Sequence, residues 1–399
     1  MNRTSRAQAR RLSVGGFVAL QVAVLAVGSA WAAWHIAAYR RERALPAPPR
    51  NASLTVGPLY DDPSVVALQQ LRVVLDRLKP RFRDGPPNIN HVDHALRFWG
   101  VGATFDDPAC LSGREMRQLL VDTRQFRALE GADAAPLLID AGPGVRVRVQ
   151  EGLASSSHVD HTLATLAEVG TSLSFAIVTP RRRTTYRALL EQSLRDFSLN
   201  QIEYEWSAIA YGLFLPPTRR WISREGQEIT FDRLAGRIMR EDLPDGVCAG
   251  NHRMQALVVL LRVDSDWRIL SAPVRRRVEA YLKDVTRRLV EHQAEDGYWK
   301  SNWPTGSPAA REDGQEDSAA DDLATRILAT GHPMEWWALA PPELLPPRHV
   351  RQRAGQWLVR TIQNLTPEQI DLYYTFLSHA GHALSLWRGR EPAQVLATR

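Results

Sequence analysis

Two cysteines in 399 residues exclude a disulfide-built scaffold and leave room for one bridge at most. Strand signals are nearly as scarce. The best of them, Val145-Arg146-Val147-Arg148-Val149, is a single short alternating run that reads as a hairpin arm in a loop, which excludes a fold built on a large sheet. Charge of one sign is thin as well: Lys and Arg total 50 against 44 for Asp and Glu. The excess lies in short arginine runs such as 181–183 and 275–277, at helix starts. No basic stripe interleaved with aromatics appears, so nucleic acid is set aside as a partner.

One long apolar run is present. Residues 13–39, SVGGFVALQVAVLAVGSAWAAWHIAAY, are interrupted only by Gln21 and His35 and are long enough to cross roughly 30 Å of hydrocarbon as a helix. Arg3, Arg6, Arg10 and Arg11 precede it in a basic tail, residues 1–12. The positive-inside bias then puts the N-terminus in the cytoplasm and the bulk of the chain outside, although Arg40, Arg41 and Arg43 weaken it. The rival is a cleavable signal peptide, since Ala30-Trp31-Ala32 fits an A-x-A site and cleavage after Ala32 would release a secreted or periplasmic protein. The run continues past that site, so the expected partner is the lipid bilayer, through an uncleaved anchor at 13–39. Residues 40–62 are proline-rich and aperiodic, and read as an extended stalk before a domain at 63–399.

From residue 63 onward two kinds of helix alternate. Segments 64–79, 113–130, 184–197, 229–241, 273–293 and 349–363 carry an apolar stripe at helical spacing with an arginine-rich reverse face, as outer helices do. Segments 91–100, 158–170, 205–215, 252–263, 334–340 and 376–387 are nearly all apolar after their first residues, as helices buried on every side are. Strict alternation predicts an all-α chain folded as an (α/α)6 toroid, in which parallel inner helices line a central cavity; an irregular helical domain is the plainer alternative. Residues 300–322, polar and acidic, read as a solvated rim loop or a lid.

In a toroid the inner N-termini open on one mouth, and the unusual residues of this chain fall there. They are His91 and His94, His158 and His161, Glu203 and Glu205, Cys248 and His252, and His332 and Glu335, with His379 and His382 deeper in the last inner helix. The first two pairs come from a repeated H-V-D-H. With Asn90 and Ser157 as N-caps, Asp93 and Asp160 occupy N3 and are expected to close capping boxes. The paired histidines share a helix face, so they suit either metal ligation and acid–base work or hydrogen bonding to loop carbonyls. Cys248, between glycines before a helix start, is expected to be held toward thiolate by the helix dipole, as a nucleophile or, with His252, a zinc ligand; the structural reading is a small buried residue at a tight turn. Cys110 lies at the opposite mouth, so a Cys110–Cys248 bridge is not expected. Inner-helix aromatics such as Trp99, Trp206, Tyr211, Trp336, Trp337 and Trp387 either fill the barrel or wall a ligand cavity.

Two short stretches resemble known families. EHQAEDGYW, 291–299, resembles the glutamine-tryptophan repeat of terpenoid cyclases and the related repeats of protein prenyltransferases. The DxDD acid motif of the cyclases is absent, and Asp245-Gly246-Val247-Cys248 matches the prenyltransferase zinc ligands only in residue type, not in spacing. GHPMEWWAL, 331–339, is similar to a segment of the N-acylglucosamine 2-epimerase family, which implies an acid–base role for His332 on sugars. Both resemblances imply an α/α toroid. The expected function is therefore that of an anchored, extracytoplasmic enzyme binding a small molecule or polymer, sugar or isoprenoid-linked, in its cavity. The alternative is a non-catalytic binding or scaffolding module of the cell envelope.

Overall fold

The computed structural model describes residues 3–42, 44–83, 88–243, 248, 250–304 and 319–397, with backbone alone at 3–15, 38–42 and 319–322. The first helix, α1 (Arg3–Glu42), contains Gly16–Ala37, 22 residues long and apolar enough to cross a membrane, with no part buried against the rest of the chain. The remaining helices are α2 (Leu68–Arg77), α3 (Ile89–Trp99), α4 (Gly113–Val121), α5 (Thr123–Glu130), α6 (His161–Glu168), α7 (Tyr186–Asp196) and α8 (Glu205–Phe214). They continue with α9 (Phe231–Ile238), α10 (Asn251–Trp267), α11 (Ala272–His292), α12 (Ala319–Leu339), α13 (Arg348–Asn364), α14 (Pro367–Leu372), α15 (Tyr374–Trp387) and α16 (Pro392–Ala397). Among the described residues three two-stranded antiparallel hairpins decorate the loops: β1 (Leu138–Ala141) with β2 (Gly144–Val147), β3 (Ala176–Val178) with β4 (Arg183–Thr185), and β5 (Arg220–Ile222) with β6 (Glu228–Thr230). The chain is thus mostly helical.

Burial separates the helices as their sequences suggest. Every residue of α8 is buried, as is α10 from Asn251 to Leu261, whereas α11 buries a stripe at Val274, Val278, Leu282, Val285 and Leu289. A stripe four and three residues apart covers one helix face, so α11 lies on a surface while α8 and α10 pass through the core. The buried helices touch in a closed cycle: α3 packs on α6, α6 on α8, α8 on α10, α10 on α12, α12 on α15, and α15 returns to α3. The amphipathic helices lie against this cycle, α4 on α3, α9 on α8 and α10, α11 on α10, and α13 on α12 and α15.

The contact between α12 and α15 depends on glycine. A Cβ at Gly331 would sit 3.0 Å from the Ala380 backbone nitrogen, and one at Gly381 would sit 2.6 Å from Phe98. At Gly331 the missing Cβ lets α12 and α15, which carry His332 and His379, approach closely, and at Gly381 it lets α15 close on Phe98 of α3.

Three expectations change. The segment 113–130 is two helices, because Asp122 is extended (φ −125°) and caps α5 through its side chain. The inner segment at 334–340 is only the end of the 21-residue α12, so His332 and Glu335 lie deep in a helix rather than at its start. The stalk is not free: residues 50–62 lie across the C-terminal ends of the buried helices. Ser53 Oγ donates to Ala167 O (2.7 Å), Leu54 N to Leu213 O (2.9 Å), Leu59 N to Ala338 O (3.2 Å) and Asp62 N to Trp387 O (2.7 Å). These are helix-terminal carbonyls left without intrahelical partners, and the strap satisfies them. Tyr60 adds a hydroxyl bond to Ala340 O (2.6 Å) and stacks on Trp387 at 5.3 Å. The four carbonyls also place the C-terminal ends of α6, α8, α12 and α15 on one side of the cycle.

The turn at 291–299 is structural in its contacts. Gln293 Nε2 donates to Gly297 O and Val350 O, and Trp299 Nε1 to Leu289 O, so the motif pins the end of α11 against α13. Asp245, Gly246 and Val247, and residues 305–318 of the expected rim loop, lie outside the described residues.

Candidate metal centre

The two H-V-D-H segments do different jobs. Asn88, not Asn90, caps α3, its side chain accepting from Asn90 N, so Asp93 is the fifth residue of the helix and wholly buried. Its Oδ2 accepts from Thr162 Oγ1 (2.6 Å) and lies 3.0 Å from His161 Nδ1. In the second copy α6 begins at His161, and Asp160 stands before it in the left-handed region (φ 58°), which aspartate tolerates better than most residues. The Asp160 carboxylate turns away to accept from Ser193 Oγ (2.6 Å) and Ser207 Oγ (2.5 Å). Neither aspartate closes the capping box its spacing suggests. Instead the first copy supplies a carboxylate to the histidine of the second.

Six histidines from five helices and their approaches gather in one network. Ring centroids lie 4.4 Å apart for His94 and His161, 5.0 Å for His94 and His379, and 3.9 Å for His332 and His379. They lie 4.8 Å apart for His252 and His332, and 5.8 Å for His158 and His252. Trp206 packs against two of them, His161 at 4.3 Å and His252 at 4.7 Å. Burial holds His94, His252 and His332 well below the usual imidazole range, and lowers His379 too, so these rings are neutral.

Each neutral ring has one nitrogen that donates and one that accepts, and the partners of Nδ1 decide which is which. His94 Nδ1 donates to Asn90 O (2.7 Å) and His332 Nδ1 to Leu328 O (2.9 Å), the carbonyls four residues back on their own helices. His158 Nδ1 meets Glu203 Oε2 at 3.0 Å, and His379 Nδ1 meets Glu335 Oε2 at 2.8 Å. In His94, His332 and His379 the lone pair is left on Nε2. This is the arrangement in which an outer carbonyl or carboxylate orients an imidazole for a metal.

The donors come closest at Cys248, His252 and His332. The Nε2 atoms of His252 and His332 are 2.9 Å apart, and the ligand atoms of all three residues lie within 4.8 Å of one another. Without an ion His252 must donate from Nε2 to His332, which leaves its own Nδ1 buried with no hydrogen-bond partner. One thiolate and two imidazoles suit zinc, and three protein ligands leave a fourth position open. Zinc–nitrogen bonds of about 2.0–2.1 Å and zinc–sulfur bonds of about 2.3 Å put tetrahedral donors roughly 3.3–3.6 Å apart, within the span the three atoms occupy.

The thiol itself departs from expectation. Burial, aided by Glu203 and Glu205, pushes Cys248 up to about 12, the opposite of activation by a helix start. Burial first, and the two carboxylates after it, disfavour the thiolate, and a divalent cation would reverse the balance by favouring it. Cys248 sits in the left-handed region (φ 55°) at the turn into α10, and both it and Cys110 are free thiols.

Glu335 is completely buried and does not stand as a free acid. Its Oε1 accepts from Arg97 Nη1 (2.6 Å) and His382 Nδ1 (2.5 Å), while Oε2 takes His379. Burial raises its proton affinity, but Arg97 and then His379 outweigh it and hold the carboxyl well below its ordinary value. Arg97 is shared with Glu168, Nε to Oε2 at 2.8 Å. Glu335 therefore orients two histidines rather than exchanging protons.

The remaining candidates fall at the margins. His382 is reached through Glu335 and, with Arg97, Glu168 and strap residues Leu54 and Val56, lines a cavity of about 80 Å³ on the strap side. His91 stays outside the network against Tyr374 (5.7 Å), and burial alone lowers it to about 4. Arg97 and Glu168 were not singled out from sequence, and Asp93 was read only as a capping residue. Their signal is present all the same, as charges inside helices otherwise free of them.

No protein-family model, curated protein or solved structure matches this chain.

Proposed function

We propose that this chain is a membrane-anchored, extracytoplasmic α/α-toroid metalloprotein that binds zinc through Cys248, His252 and His332 and uses it on a polar ligand such as a sugar or envelope polymer. The convergence of one thiol and two imidazoles on a common point carries the reading. The closed cycle of buried helices, with amphipathic helices outside it, supports the toroid. The apolar helix at Gly16–Ala37, preceded by four arginines, supports an anchor with its N-terminus in the cytoplasm.

When bound, zinc would supply a Lewis acid and a water of lowered pKa at the open fourth position. The chain's own part is to hold His332 in one tautomer through Leu328 O, and to keep neutral bases such as His379 beside the donors. A second reading, a non-catalytic binding module, draws on the engagement of both central carboxylates, Asp93 and Glu335, in fixed pairs. Elemental analysis of the full-length protein in detergent tests the proposal. Zinc is expected near one per chain, lost in Cys248→Ala and in His332→Ala but kept in His91→Ala. Absence of any transition metal, together with no zinc uptake on titration, would overturn it.

A further inference from the structure

We propose that the strap of residues 50–62 forms the membrane-facing end of the domain, so that the N-terminal ends of α6, α8 and α10, beside the buried histidine cluster, face away from the bilayer and the ligand is drawn from the aqueous phase. The inference rests on the reading of α1 as an anchor and adds to it a fixed orientation.

The argument is one of reach. Gly16–Ala37 spans 22 residues, about 33 Å as a helix, which matches a hydrocarbon core of roughly 30 Å. The helix then runs on to Glu42, about 7 Å further and through the headgroup layer. From Glu42 to Arg50 the chain extends at most about 29 Å. At Arg50 it is fixed: Nη2 donates to Pro216 O (2.7 Å), the guanidinium lies over Trp267 at 4.3 Å, and Leu173 N donates to Asn51 O (2.7 Å). Pro216 follows α8, Trp267 ends α10 and Leu173 follows α6, so this point lies on the C-terminal side of the cycle.

Turning the domain over would require the tether to cross an outer helix layer of about 10 Å and climb the cycle. The 17-residue α10 sets that height at about 25 Å, for a route of roughly 35 Å. The tether is too short for that route. The strap also lies over the near end, where it takes up the terminal carbonyls of four buried helices and leaves, against His382, Arg97 and Glu168, a cavity of only about 80 Å³. That space is too small to pass a polyprenyl chain, so the ligand expected is a water-soluble or polymeric one, or the polar portion of a lipid-linked one held well above the headgroups.

Two labelling sites report the orientation. Leu59 lies on the strap and is 44% exposed; Ile202 precedes α8 at the opposite end and is 86% exposed. In full-length protein carrying Cys110→Ser and Cys248→Ser, a donor fluorophore is attached at Leu59→Cys or at Ile202→Cys. The protein is then placed in lipid nanodiscs with an acceptor on the headgroups. Energy transfer is expected to be clearly stronger from position 59 than from position 202. Inserting a long Gly-Ser segment between Pro46 and Ala47 should abolish the difference. Equal transfer, or stronger transfer from position 202, with the protein firmly in the discs would overturn the orientation and leave the anchor standing. Failure of the protein to enter discs at all would overturn the anchor, and the orientation with it.

Discussion

Substitution of Glu335 by Gln tests whether the buried ion network, rather than apolar packing alone, holds α3, α6, α12 and α15 together. The native carboxylate is inaccessible and bonds Arg97, His379 and His382 at 2.6, 2.8 and 2.5 Å. Gln keeps the shape but loses the charge, and its amide nitrogen cannot accept from either imidazole. One histidine must switch tautomer, and Arg97 is left with Glu168 as its only carboxylate. Removing one member of a buried pair costs about 3–5 kcal/mol, and the surviving Glu168 contact puts the expectation near the lower end, at about 3 kcal/mol. At roughly 2.1 cal/mol/K per residue over some 350 residues, that lowers the melting temperature by about 4 °C. Tryptophan fluorescence follows the unfolding, because Trp206, Trp299, Trp336, Trp337 and Trp387 are fully buried. Urea titration of the full-length protein in detergent with a chelator present keeps metal out of the measurement. The double variant Arg97→Met/Glu335→Gln should lose less than Glu335→Gln alone, since no unpaired cation then remains. A single variant within about 1 kcal/mol of the parent, or a double variant worse than the single, would refute the account.

Two further substitutions probe the surroundings. Gly331→Ala places a Cβ 3.0 Å from the Ala380 backbone nitrogen, so α15 has to give by a few tenths of an ångström against α12, next to the His332–His379 ring contact of 3.9 Å. A loss of about 1–3 kcal/mol in urea unfolding and weaker zinc binding by titration are expected, and a variant that matches the parent in both would show the glycine to be incidental. Tyr60→Phe removes the 2.6 Å bond to Ala340 O but keeps the stack on Trp387. The expected cost is about 1 kcal/mol, with faster limited proteolysis within 50–62; unchanged cleavage would mean that the strap is held by its backbone bonds alone.

The alternation of amphipathic and wholly apolar segments was legible because burial writes itself into local periodicity. Each of the six segments without a charged face became a helix of the closed cycle. The strap was not legible, because proline and the absence of periodicity say only that no helix or strand forms. They do not say that backbone donors at Leu54, Leu59 and Asp62 will meet carbonyls more than a hundred residues away. The repeated H-V-D-H shows the same limit within one motif. Spacing suggested two equivalent turns with capping aspartates, yet helix α3 starts two residues earlier than that reading requires and α6 three residues later than the first histidine of its copy. The shift puts Asp93 inside the core, where a lone carboxylate would be costly, and the cost is offset by His161, Thr162 and Thr165 from the other copy. Burial does raise the Asp93 carboxyl, but His161 outweighs it and the group is held below its ordinary value. Equivalence in sequence thus became complementarity in space: one copy gives the carboxylate and the other the imidazole it orients. A swap of roles follows from this pairing, since Asp93→Asn should disturb His161 while Asp160→Asn should leave it untouched. The imidazole resonances of His161 would separate the two cases, and an equal response to both substitutions would restore the symmetrical reading.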